Sequence, residues 1–414
     1  MPYIPIAKAR GFTAGFGKYA AAHESCYLYS QKEINASLKA LKTAFPHNPF
    51  LYSVKCNPES QVLDTIFSAG LGADTASTKE TLIALEHGLP PEKIYFSAPG
   101  KTSNDIECCL GKCILTADSL NEIKLINRIA AAKSLKATIG VRLNPAFAGS
   151  DGKCAPSKFG IDEPEFIKAI PNLLELRNVS IIGLHIHVKS QQLENADITR
   201  YWRSCAALFG RIQKKLPTPM TFLNVGSGIG VPYSSQQKAP DLEALGKSMT
   251  TITAKLHETW PDLTVFIESG RFITCKAGTY LTHVTDKKVS AGTNFLILAD
   301  TLNGFVRPSM TIMASDFAQG TVPACEPMVS GGAAFEFTAY TQIPSSPNDT
   351  EVVTICGSLC TGADVVARNI TLPRMLPGDI VTINNAGAYA QVLTPSQFAS
   401  RLPPAEILVP DDEL

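Results

Sequence analysis

Short apolar or β-branched runs alternate with helix-period segments from residue 50 to residue 268, and no other feature constrains the fold of this chain as tightly. The candidate strands are Phe50–Val54, Gly72–Thr75, Lys93–Ser97, Cys113–Thr116, Ala137–Leu143, Ile181–Val188, Thr221–Val225 and Thr264–Glu268. Between them, Ser60–Phe67, Lys79–Glu86, Leu120–Ala132, Glu163–Leu174, Tyr201–Lys215 and Leu242–Glu258 carry apolar residues three and four apart. Strand alternating with helix makes parallel βαβ units. Eight strands predict a closed (β/α)8 barrel of the TIM type, with an open doubly wound sheet as the alternative.

Beyond about residue 280 the texture changes. Helical periodicity fades, and runs such as Phe295–Ala299, Val352–Ile355 and Asp379–Ile383 are separated by Pro and Gly clusters, which predicts an antiparallel β-sandwich or barrel domain. Pro344, Ser345, Ser346 and Pro347 mark an exposed loop within residues 340–350. The 37 basic and 37 acidic residues cancel, so no overall charge draws the chain to nucleic acid or an anionic membrane. No apolar run approaches the roughly 20 residues that span a bilayer. The first ten residues, with Pro2 and Pro5, lack a signal-peptide core, so a cytoplasmic protein is expected. The 11 cysteines are scattered without a CxxC pair. Even Cys108, Cys109 and Cys113 have no neighbouring histidine, and free thiols in a reducing compartment are expected.

In such a barrel the working residues lie where strands end and loops begin. The first strand is followed by Lys55, the second by Asp74 and Ser77, and the fifth carries Arg142. The sixth carries His185 and His187, the seventh runs into Gly226-Ser227-Gly228, and the eighth ends in Glu268, Gly270 and Arg271. A lysine closing an apolar strand either snorkels to solvent or, desolvated, forms a Schiff base with an aldehyde. The turn Gly226-Ser227-Gly228-Ile229-Gly230 either cradles a phosphate on its backbone N–H groups or serves only as a tight connection. It lacks the spacing of a dinucleotide fingerprint. His185 and His187 alternate along a strand, which suits a metal pair or an imidazole stacked on an aromatic cofactor. The remaining histidines occupy no strand end that would complete a metal site, so none is expected.

Nine segments together are more specific. Tyr52-Ser-Val-Lys55-Cys-Asn57, Gly72-Ala-Asp74-Thr-Ala-Ser77, Ser157-Lys-Phe-Gly160, His185-Ile-His187-Val-Lys-Ser190-Gln191 and Asn224-Val-Gly226-Ser-Gly228 come first. Glu268-Ser-Gly270-Arg271, Arg307-Pro308, Cys356-Gly-Ser-Leu-Cys360 and Asn385-Ala-Gly-Ala-Tyr389 follow. In this order they resemble the alanine-racemase-fold (fold type III) decarboxylases that act on diaminopimelate, ornithine and arginine. The resemblance implies a barrel over residues 30–280 and a β domain formed from 1–29 and 281–414. It implies pyridoxal 5'-phosphate (PLP) as cofactor, bound to Lys55 as an aldimine, with His187 stacked on its ring. Ser190, Gly226, Ser227, Gly228, Gly270, Arg271 and Tyr389 would surround the phosphate, Arg142 would support the ring side, and Asp74 would sit near the aldimine. Glu268 would pair with the pyridine nitrogen, where racemases of this fold are expected to carry arginine; a carboxylate there makes the ring a strong electron sink. Cys360, supplied by the neighbouring subunit of a homodimer with composite sites, would reprotonate the quinonoid.

Three positions depart from the diaminopimelate pattern. Thr361 replaces an acid that recognises a distal ammonium, Lys189 replaces a glycine, and Thr311 stands where a tyrosine is expected. Losing a negative charge and gaining a positive one favours a substrate with a carboxylate-rich far end. The expected substrate is therefore a conjugate such as N-citryl-ornithine in siderophore biosynthesis, with Lys189, Arg271, Arg307 and Thr361 as substrate contacts. The plain alternative leaves Lys189 in solvent and Thr361 only shaping the pocket. Diaminopimelate, ornithine or arginine decarboxylation, a PLP-binding homeostasis protein, and an amino-acid racemase remain the other readings.

Overall fold

The computed structural model describes residues 7–10, 14–150, 152–234, 236–318, 326–330, 334–341 and 349–410. Pro2, Pro5 and the Pro344, Ser345, Ser346 and Pro347 segment lie outside them. The chain divides into two compact units, one of Leu38–Gly230 with Ala239–Gly270, the other of Met1–Ser37, Val231–Lys238 and Arg271–Leu414.

The first unit is built on strands β1 (Phe50–Ser53), β2 (Gly72–Thr75), β3 (Ile94–Phe96), β4 (Ile114–Ala117), β5 (Ala137–Asn144), β6 (Val179–His185), β7 (Phe222–Asn224) and β8 (Thr264–Ser269). All pair in parallel. The β8–β1 and β4–β5 pairings close the ring, which excludes the open sheet. Ile161–Asp162 adds a short strand beside β5. Helices α1 (Ser60–Ser68), α2 (Thr78–Glu86), α3 (Ser103–Cys109), α4 (Leu120–Ala132), α5 (Glu163–Leu174), α6 (Asn195–Gln213) and α7 (Leu242–His257) each follow the strand of the same number. Ser77, Thr102, Ser119 and Asp241 accept backbone N–H groups at the starts of α2, α3, α4 and α7, satisfying donors that the first turn leaves unpaired. The apolar run predicted through Val188 stops being strand at His185, with the Ile186 N–H making the last ladder bond, to the Asn224 carbonyl.

Inside the barrel, Leu51, Tyr95 and Phe222 pack with Ile114, Ile182 and Phe266. Gly140 and Gly183 make room for the Phe222 ring, since a Cβ on either would approach it to 2.8 or 2.4 Å. Ring-to-ring distances of 5.2 Å for Tyr95–Phe222 and Tyr95–Phe266 mark close tilted or edge packing, so the barrel is filled rather than open.

Among the described residues the second unit holds a nine-stranded sheet centred on β9 (Gly278–Ser290). β9 pairs antiparallel with β10 (Thr293–Leu298), with Ile380–Ile383 and with Ser25–Ser30. Parallel pairs occur between Ala7–Arg10 and Phe337–Tyr340, between β10 and Thr350–Cys356, and between Ser25–Ser30 and Ala405–Val409. Helical structure does not vanish here, contrary to the fading periodicity, because α8 spans Val306–Ala318. Its buried side includes Arg307, Ser309 and Thr311, so no apolar stripe announces it in the sequence. Among the described residues no helix is long and apolar enough to cross a membrane.

Candidate active site

Lys55 leaves β1 in a single 3-10 turn, Val54–Cys56, with its side chain 41% exposed. Its Nζ lies 2.5 Å from Oδ2 of Asp74, a β2 carboxylate that is only 1% exposed. Ser53 and Asp74 are register partners on adjacent strands, and the Ser53 hydroxyl donates to Oδ2 at 3.1 Å. From the end of β3, the Ser97 hydroxyl donates to Oδ1 at 2.5 Å.

On the other side of β1 from β2, Glu268 is buried in β8. Its Oε1 accepts from Asn224 Nδ2 at 2.9 Å and lies 3.1 Å from His185 Nε2, while Oε2 lies 3.9 Å from His187 Nδ1. Burial pushes this carboxyl up, but His185, His187 and Lys55 outweigh it and hold Glu268 well below the usual carboxylate range. Glu268 is therefore ionised at neutral pH. Burial pushes His187 the other way, from 6.5 to about 4, against the pull of Glu268, so its imidazole is neutral. The Ser227 N–H donates to its Nδ1 at 3.0 Å. That leaves the ring proton on Nε2, which donates to Ser190 Oγ at 3.2 Å. Arg142 and Lys55 also act on His187 electrostatically, which draws the predicted residues of four strand ends into one cluster. Arg142 is buried, 3.9 Å from Asp118, with its guanidinium 4.4 Å from the centre of the Phe159 ring.

The turn after β7 has a pinned side and an open side. Gly226 has φ +68°, and a Cβ there would lie 2.6 Å from the Ile186 carbonyl; one on Gly230 would lie 2.8 Å from that of Gln192. Gly228 faces open space, where an added Cβ meets nothing within 4 Å. Asn224 Oδ1 accepts the Gly226 N–H at 2.8 Å, so one side chain ties this turn to Glu268. A lysine amine, an ionised carboxylate, a flat neutral imidazole and an open glycine turn fit the chemistry of PLP: an aldehyde, a ring nitrogen, an aromatic face and a phosphate. Lys189 is exposed and Ser190 is exposed, beyond the end of β6.

The second unit gathers another predicted group. Arg271 pairs with Glu326 at 2.6 Å, donates to the Tyr233 hydroxyl, and lies 4.9 Å from the Tyr389 ring centre. Arg307 is fully buried on α8, donating to the Ala388 carbonyl at 3.2 Å, to the Tyr233 hydroxyl at 3.3 Å and to Ser330. Glu326 also lies 3.8 Å from it. Thr311 is buried and donates to the Arg307 carbonyl at 3.0 Å. Cys360 is exposed and Thr361 half-buried. Sequence reasoning assigned no role to Ser53, Ser97, Asn224, Tyr233 or Glu326. Asn224 stood in a quoted motif, whereas Ser97 and Glu326 carry no local signal because their partners are distant in sequence.

Residues 31–275 match the family model for the pyridoxal-binding domain of pyridoxal-dependent decarboxylases. The chain is 28% identical over 392 residues to the L-glutamyl-[BtrI acyl-carrier protein] decarboxylase of Niallia circulans, covering 92% of this chain and 88% of that protein. It is 26% identical over 400 residues to the diaminopimelate decarboxylase of Bacteroides thetaiotaomicron, covering 93% and 96%. Among solved structures, Helicobacter pylori diaminopimelate decarboxylase complexed with L-lysine superposes with a TM-score of 0.79 at 25% identity, covering 96% of this chain and 94% of that one.

Proposed function

The chain belongs to the pyridoxal-dependent decarboxylases, PLP enzymes that remove a carboxyl group from amino acids, and on that premise we propose that Lys55 anchors the cofactor through its Nζ. When bound, PLP supplies an electron sink for the bonding pair left behind as carbon dioxide departs. Glu268 accepts the proton-bearing ring nitrogen on its ionised carboxylate, and His187 offers a neutral imidazole face to the ring. Arg142 backs the ring side of the site, and Asp74 holds the Lys55 end. Gly226, Ser227, Gly228, Ser190 and Gly270 receive the phosphate. Cys360 Sγ of a second subunit returns a proton to the α-carbon, and its exposure supports a residue offered to a neighbour.

The observation that carries this reading is Glu268, a buried carboxylate kept ionised by its neighbours and held by Asn224 and His185 within electrostatic reach of Lys55. It favours decarboxylation over racemisation, because racemases of this fold are expected to carry arginine there, whereas a carboxylate keeps the ring nitrogen protonated and the ring a strong electron sink.

For the substrate we favour an amino acid joined to a polycarboxylate, such as N-citryl-ornithine. Lys189 supplies an exposed positive charge beyond β6, and Thr361 leaves no acid beside Cys360 to receive a distal ammonium. Arg307 contributes less to this attraction, since it is buried with Glu326 close by. The Niallia circulans relative's name describes a glutamyl group carried on a protein, another substrate with a bulky distal portion.

The test loads the protein with PLP, traps it with borohydride, and measures carbon dioxide release from citryl-ornithine, free ornithine, meso-diaminopimelate and a carrier-bound glutamyl group. A pyridoxyl mass on Lys55 with fastest release from citryl-ornithine is expected. Brisk turnover of free diaminopimelate alone ends the conjugate proposal, and an unmodified Lys55 ends the reading as a whole.

A further inference from the structure

We infer that Ser53 and Ser97 are positioning residues that clamp the Asp74 carboxylate against Lys55. The inference rests on the reading of Lys55 as the cofactor lysine, but its geometry stands by itself. The terminal torsion of an aspartate is broad, so the carboxylate plane is not fixed by the side chain's own rotamer preferences. Here each oxygen has its own hydroxyl donor: Ser97 on Oδ1 at 2.5 Å and Ser53 on Oδ2 at 3.1 Å. The three side chains come from the carboxyl ends of β1, β2 and β3, adjacent strands whose register sets Ser53 opposite Asp74. All three are buried, so water cannot readily replace a lost donor. Lys55 then meets Oδ2 in a single orientation at 2.5 Å.

Glu80, His187 and Glu268 also act electrostatically on Lys55, and Glu80 on Asp74. Glu80 is itself occupied by the Ala76 N–H at 2.7 Å, and Glu268 by Asn224 and His185. Asp74 is in direct contact with the amine, and its orientation sets the geometry of that contact. Without the two hydroxyls the carboxylate turns more freely, the ammonium is held less well, and a larger share of Lys55 is nucleophilic at neutral pH.

The experiment uses cofactor-free full-length protein, acylated briefly near neutral pH and read by peptide mass spectrometry, with exposed lysines elsewhere as internal controls. Lys55 is 41% exposed, so the reagent reaches it in every variant. Relative to those controls, Asp74→Asn should raise Lys55 acylation by about tenfold or more, and the Ser53→Ala/Ser97→Ala pair by about three- to tenfold. Ser97→Thr, which keeps the hydroxyl, should retain the slow wild-type rate that Ser97→Ala loses. Acylation of the double alanine variant at the wild-type rate, with its fold intact by circular dichroism, overturns the clamp. A purely structural role changes the melting temperature but not the ratio of Lys55 to control lysines. Adding PLP to the wild type is the separate check: a colourless protein defeats the cofactor reading and leaves the acylation result standing.

Discussion

His187 shows how one half-buried side chain sets a pH limit. Its proton affinity in the folded chain falls from 6.5 to about 4 because burial disfavours the imidazolium. A depressed folded value contributes stability above the unfolded pKa and loses it as pH falls through the folded one. The window therefore runs from about 6.5 down to about 4, and the contribution is on the order of 3 kcal/mol. Urea unfolding of cofactor-free protein at a series of pH values should show this loss, and His187→Gln should flatten it across that window. An identical pH dependence in the variant would mean that other groups govern the acid limit. Glu268 points the same way at lower pH, since a carboxyl held below its usual range stabilises the fold until it is protonated.

The strand ends are useful only because the barrel beneath them is filled, and that filling depends on two glycines. At Gly183 a Cβ would sit 2.4 Å from the Phe222 ring, and at Gly140 2.8 Å. Gly183→Ala forces either the ring or β6 to move, an overpacking that costs about 1–3 kcal/mol. A smaller residue at 222 relieves the clash, so Gly183→Ala/Phe222→Leu should be less destabilised than the sum of its single variants in denaturant melts. Strict additivity would place the strain elsewhere. Because β6 carries His185 and β7 carries Asn224, a shift of either strand also loosens the partners of Glu268. Periodicity made these strands legible, since an apolar run bounded by turns reads as a buried strand wherever it lies. It did not reveal α8, whose buried side includes the polar residues Arg307, Ser309 and Thr311; Arg307 meets partners from other elements, and Thr311 donates back to the Arg307 carbonyl of the same helix.

At the scale of the whole molecule, the proposed composite site makes activity depend on assembly. Lys55→Ala and Cys360→Ala homodimers should each be nearly inactive. Mixing their subunits should restore up to roughly a quarter of wild-type turnover, because half of random dimers are mixed and each holds one intact site. No recovery after verified subunit exchange would place both residues in the same chain's site. The amino-acid order alone pointed to the barrel and put Lys55, Asp74, His187 and Glu268 on or just after its strands, because periodic burial and short motifs are local properties of a chain. It carried no sign that Ser97 would donate to Asp74, that Asn224 would join the glycine turn to Glu268, or that Glu326 would face Arg271 and Arg307. Those contacts join segments that meet only when parallel strands fall into register or loops close over a sheet. Hydrogen bonds and ion pairs act over a few ångströms, so the fold had to bring these groups together before their chemistry existed.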